Sequence, residues 1–176
     1  MHGAQAAHMT RVRDLREAFA SANERLVARL RGATDEAAER QVESGWSAAQ
    51  IGWHVASVST RFAALIAGDA AGVQPLPETF SERPWGNIAA SMPDRIEASP
   101  ASHPPAAVRR ADAVAALEAS ATKMARAFDT LTLERGAHMG ITHSLVGTIS
   151  VYQLGEWAAN HIARHNKQAK RVLGEQ

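Results

Sequence analysis

The chain has 176 residues, enough for one domain (residues 1–176) whose core needs neither disulfides nor an obligatory structural metal, and 19 basic against 18 acidic residues leave a net charge of +1. Cysteine is absent, which removes thiolate metal sites, disulfides and a cysteine nucleophile together and leaves His, Asp and Glu as ligand candidates. The basic residues are scattered, so nucleic acid is not a favoured partner. No signal-type run and no stretch of about 18 apolar residues occurs, so the expectation is a cytoplasmic protein with no membrane partner.

Alanine is abundant, β-branched alternation is scarce and aromatics make up only 5%, which together predict an all-α fold. Over residues 9–30, Val12, Leu15, Phe19, Ala22, Leu26 and Leu30 recur every three or four positions and predict an amphipathic first helix. A polar run over 34–45 connects it to the next, with room for one short helical turn. Ser47 followed by Gln50 reads as a capping box, with Trp46 placed as the hydrophobic staple. Behind it Ile51, His54, Val55, Val58, Phe62 and Leu65 line one face of a second helix that Gly68 ends.

Residues 73–108 hold all seven prolines. A connector of that length can travel a bundle from end to end and let the second and third helices run parallel, where a short hairpin would force antiparallel neighbours. Phe80, Trp85, Ile88 and Met92 give it something to pack with, including a short helix between 85 and 96, and it is expected to lie over the helices. The third helix, over about 110–133, carries the seam Val114, Leu117, Ala121, Met124, Phe128 and Leu131. Gly136, Gly140 and Gly147 then mark a turn region, and Ser150 with Gln153 opens the fourth helix through a second capping box. The expectation is four helices and no strands.

His161 and His165, four apart, lie one turn above the other on a helix and fall inside the apolar stripe of Leu154, Trp157, Ala158, Gln168 and Val172. Two imidazoles are half of a metal site, and an open catalytic site takes three protein ligands. His54 is the best third, because it is the other histidine inside an apolar helical stripe. His138 and His143 are the alternatives, near the start of the fourth helix but on turns. His2 and His8 lie near a terminus expected to fray, and His103 sits in the Pro-rich connector; these carry little weight. An inward histidine by itself is ordinarily a hydrogen-bonded core residue. Two in one stripe and a third in another are harder to place that way, since buried imidazoles without partners cost free energy that coordination removes. Trp46, Trp53, Trp85 and Trp157 read as packing residues. Gln168 is either a hydrogen-bond partner of His165 or an amide at the core edge.

The segment GWSAAQIGWHVASV, followed after the long connector by TISVYQLGEWAANHIARHNKQAKRVL, resembles the DinB-like (DinB/YfiT) superfamily. The likeness lies in the Trp-Ser start of the second helix with a histidine further in, and in His-x-x-x-His-x-x-Gln on the last, and it extends over nearly the whole chain. The resemblance implies a four-helix bundle of up-down-down-up connection, with the long crossover between helices 2 and 3. It also implies a homodimer and a solvent-open divalent metal site whose ligands are His54, His161 and His165. That superfamily includes transferases and isomerases that use low-molecular-weight thiols, alongside members with no assigned activity.

Three neutral imidazoles leave a bound ion its full positive charge, so it acts as a strong Lewis acid. The expected activity is transfer of a thiol to a small-molecule electrophile, or hydrolysis of one. The competing expectation is a non-catalytic dimeric bundle whose metal is structural or vestigial. Zinc is the first choice of ion; nickel, iron, manganese and copper also accept imidazole. No carboxylate stands out as a general base, because Glu156 falls off the inward stripe.

Overall fold

Both capping boxes form. In the computed structural model, which describes residues 2–43, 45–93 and 96–175, Ser47 Oγ accepts the Gln50 backbone N–H while Gln50 Oε1 accepts that of Ser47. Ser150 and Gln153 repeat the exchange. Each pair satisfies two of the N–H groups that a helix start leaves open, and so fixes the starts of α3 (Ala48–Ala67) and α7 (Val151–Val172). α3 stops where Gly68 adopts φ 94°, a left-handed conformation open to a residue without a Cβ.

α1 (His2–Gly32) begins well before the expected residue 9. The short turn expected after it is α2 (Asp35–Glu39), capped by the Thr34 side chain. α4 (Trp85–Ser91) lies within the connector; residues 94 and 95 of the helix expected there, residue 44 of the first connection and the His2 side chain lie outside the described residues. α5 (Arg110–Thr130) is the third long helix and ends slightly early, because Thr132 caps a separate short helix, α6 (Leu133–His138).

The stripes read from the sequence meet in one hydrophobic cluster. Leu15, Phe19, Leu26 and Leu30 of α1, Ile51, Val55, Phe62 and Ile66 of α3, Val114, Leu117, Met124 and Phe128 of α5, and Leu154, Ala158 and Ile162 of α7 are all buried in it. Burying each large aliphatic or aromatic side chain contributes roughly 1.5–3 kcal/mol. α3 packs chiefly on α5 and α1 on α7, while α3 with α7 and α1 with α5 close the remaining sides. Where α1, α3 and α5 meet, the backbone at Gly52 comes so close that a Cβ there would stand 2.7 Å from Leu30 Cδ1 and 3.3 Å from Ala113 Cβ. Among the described residues no helix is long and apolar enough to cross a membrane.

The expectation of no strands is corrected. β1 (Gln74–Pro75), β2 (Met139–His143) and β3 (Gly147–Ser150) form a small antiparallel sheet in the order β1-β2-β3. Gly140 pairs with Ser150, Ile141 with Ile149 and Thr142 with Thr148. The β-branched residues on either side of the turn fit a pleated surface, Gly147 supplies φ 72° at the turn, and Pro75 occupies an edge strand, where its missing N–H does no harm. Of the glycines read as marking a turn region, Gly140 and Gly147 are therefore hairpin residues, while Gly136 lies in α6.

The connector lies against the helices as expected. Gln153 Nε2 donates to the Arg83 carbonyl at 2.7 Å. Arg83 donates to the Val146 carbonyl, and Glu82 accepts from Ser150 Oγ and pairs with Arg11. Ile88 is buried. Further along, Gln50 Nε2 donates to the carbonyls of Pro105 and Ala106 at 2.8 and 3.1 Å.

Candidate metal centre

α3 carries His54 in its second turn, and α7 carries His161 and His165 on successive turns. The ring centroids lie 5.2 Å apart for His54 and His161, 4.7 Å for His54 and His165, and 4.5 Å for His161 and His165. One ring nitrogen from each lies within 4.8 Å of the others. Metal–nitrogen bonds of about 2.0–2.1 Å hold two ligand atoms of one ion up to roughly 4 Å apart, so rings this close come within reach of one ion through small side-chain rotations.

Hydrogen bonds fix the tautomers of two of the rings. His54 Nδ1–H donates to the Ser102 backbone carbonyl at 2.8 Å, and His165 Nδ1–H donates to Gln168 Oε1 at 2.8 Å. With the proton held on Nδ1, the Nε2 lone pair is left for another partner. Gln168 is thus the orienting partner of His165, and the Ser102 carbonyl does the same for His54. That carbonyl is delivered by a turn of 3₁₀ helix, Pro100–Ser102, in the connector, and a backbone oxygen leaves no mark on a sequence motif. His161 differs: its Nδ1 is buried without a hydrogen-bond partner. Leaving a ring nitrogen in that state costs about 1–3 kcal/mol, and a ligand from outside the polypeptide would explain it.

All three imidazoles are held neutral. Burial lowers the pKa of His54 below 6.5, opposed by its bond to Ser102 and helped by the charge of His103. Burial likewise puts His161 well below 6.5, with His165, His54 and Arg164 adding to it. His165 falls to about 4, through burial first and then His54, opposed by Gln168. Neutral imidazole is the form that binds metal. His54 is only 4% exposed, whereas His161 and His165 are half-buried, so the cluster has one sealed side and one that solvent reaches. A neutral three-nitrogen donor set with an orphaned ring atom and an accessible side fits a divalent ion.

The other histidines are elsewhere. His138 ends α6. His143 lies in β2, where its Nδ1 accepts the Leu145 N–H at 3.1 Å and its ring meets Trp157 edge-on at 5.1 Å; neither belongs to the cluster. His8, expected on a frayed terminus, is instead 6% exposed and bonded through Nδ1 to the Tyr152 hydroxyl at 2.7 Å. His103, given little weight, lies 5.5 Å from Trp46, which in turn stacks 4.8 Å from His54. The indole expected only to pack against the helix start therefore borders the cluster. Glu156 is off the inward face, as read, and bonds Arg11 at 3.2 Å.

The family model of the DinB superfamily matches residues 18–169, a span that takes in all three histidines and both capping boxes. No curated protein matches the chain. Since that span covers most of the polypeptide, the chain belongs to the DinB superfamily.

Proposed function

We propose that His54, His161 and His165 hold one divalent metal ion and that the protein is an enzyme acting on a small-molecule electrophile, with transfer of a thiol favoured over hydrolysis. The single observation that carries the proposal is the convergence of three neutral imidazoles from two helices, each with a ring nitrogen within 4.8 Å of the others. When bound, the ion supplies Lewis acidity, which lowers the proton affinity of a thiol or water brought to it. The polypeptide's part is orientation: Ser102 and Gln168 hold two rings with Nε2 free. The accessible side of His161 and His165 favours an open catalytic site over a closed structural one, and zinc is the ion first expected.

The scaffold carrying this site is, in our reading, one up-down-down-up bundle. Support comes from end-to-end contacts. His8 meets Tyr152 and Arg29 meets Asn166, which aligns α1 with α7. Gly52 near the start of α3 faces Ala113 and Leu117 near the start of α5, and also Leu30 near the end of α1. Gly155 near the start of α7 faces Phe128 near the end of α5.

Elemental analysis of protein purified without a nickel column tests the metal assignment. The wild-type chain is expected to carry about one ion, and His161→Ala to carry almost none while keeping its helical circular dichroism. An undiminished metal content in that variant would refute the assignment.

A further inference from the structure

The rings bordering the three histidines form a continuous string. His103 meets Trp46 edge-on, Trp46 lies 4.8 Å from His54, Phe62 stands 6.4 Å from His161, Trp157 packs on Phe62 at 5.2 Å, and His143 closes the string on Trp157. Trp46 and Trp157 are half-buried, and His103 and His143 are exposed. Two partly exposed indoles therefore stand in the string that borders the cluster. Trp157 precedes His161 by four residues on α7, so its ring stands one turn away on the same face. An indole buries more apolar area than any other side chain, and leaving two of them partly uncovered beside one cluster leaves that gain for a ligand to collect.

Charge narrows the ligand further. Among the described residues, the groups acting electrostatically on the three imidazoles are His103, Arg164 and one another. Among the described residues no carboxylate joins the cluster, and Glu156 is turned to Arg11. A dication bound to three neutral nitrogens keeps its whole charge. That charge favours a ligand that brings a negative group to the open side of the site.

Resting on the metal-site reading above, we infer that the site takes a small anion with a flat apolar body, its charge beside the three imidazoles and its body against Trp157. Benzoate, acetate and benzamide separate the two halves of this statement, because the first two share a charge and the first and third share a ring. The full chain loaded with cobalt(II) at pH 7.5 is titrated with each, and binding is followed in the visible absorption of the metal.

Benzoate is expected to bind about tenfold more tightly than acetate, and benzamide to leave the spectrum unchanged at concentrations where benzoate saturates. Trp157→Ala should bring benzoate down to the level of acetate without altering acetate affinity or cobalt content, and Trp157→Phe should keep most of the preference. Trp157→Leu, apolar but not flat, replaces the alanine variant if circular dichroism shows that one unfolded, and it too should lose the preference. Equal affinities for benzoate and acetate, benzamide binding as well as benzoate, or a Trp157 variant that weakens both anions alike overturns the inference while the metal site stands. Failure of the wild-type chain to take up cobalt overturns both.

Discussion

His54 and His165 are oriented by oxygens of different origin, and the difference decides what each can be made to reveal. Gln168 is a side chain three residues along the same helix from His165, so its spacing was visible in the sequence, although nothing there chose between a partner of His165 and a core-edge amide. The Ser102 carbonyl reaches His54 from 48 residues away and carries no residue-type signal. Both raise the proton affinity of the ring they hold, and burial, the larger effect, overrides them and keeps each imidazole neutral. Each of the three rings has its pKa lowered by folding. Between the folded value and the ordinary 6.5 the unfolded chain therefore binds more protons than the folded one. The stability of the metal-free protein should accordingly be fully present above about pH 6.5 and fall as pH drops toward about 4, where His165 takes its proton. Urea denaturation of metal-free protein at pH 7.5, 5.5 and 4.5 checks this. The midpoint should fall across the series, and less so in His165→Ala than in the wild type; equal slopes in the two proteins would remove the histidine from the explanation.

At the scale of the element, helices were legible and strands were not, for a physical reason. A helix of twenty residues repeats its apolar face several times and announces its start, as Ser47 with Gln50 and Ser150 with Gln153 do. β2 and β3 are five and four residues long, too short for alternation to stand out, and β1 pairs with β2 only after a long excursion of chain. The sign that was present, β-branched residues around a glycine-bearing turn, was read as a loop because three glycines lay within it. Gly140 holds that sheet together. It pairs with Ser150, the N-cap of α7, and a Cβ at this position would collide with the Ile149 carbonyl oxygen and crowd Leu76 Cδ2. A backbone oxygen in a strand pair has little room to retreat. Gly140→Ala should therefore cost about 1–3 kcal/mol, read as a lowered denaturation midpoint, and the amides of β3 should lose hydrogen-exchange protection before those in the middle of α3. A variant as stable as the wild type would mean the hairpin can open by about an ångström without loss.

Across the whole molecule, the Pro-rich connector ties the candidate centre to the rest of the fold. It joins the second and third long helices and, as expected, lies against the helices with a short helix inside it. Much of its chemistry could not be read, because beside the contacts of the Glu82 and Arg83 side chains it is fastened through backbone atoms. Near one end the Arg83 carbonyl takes the Gln153 amide. Near the other, the carbonyls of Pro105 and Ala106 take the Gln50 amide and that of Ser102 takes the His54 ring N–H. The two glutamines are the same ones that close the capping boxes of α3 and α7, so each helix start is joined to the connector through a residue already fixed in place. A metal on His54 would make its Nδ1–H a stronger donor, and the benefit passes directly to the 3₁₀ turn. The amide of Ser102 is bonded to the Ser99 carbonyl at 2.9 Å and that of His103 to the Pro100 carbonyl at 3.3 Å, so opening of this turn can be followed at two adjacent N–H groups. Saturating zinc should slow their hydrogen exchange by about tenfold, the worth of one strengthened hydrogen bond to an ionised or metal-bound partner. The rates of α6 should not change, and in His161→Ala zinc should have no effect at either amide. Unchanged exchange at residues 102 and 103 in zinc-loaded wild-type protein would show that the connector and the histidine cluster are neighbours without being coupled.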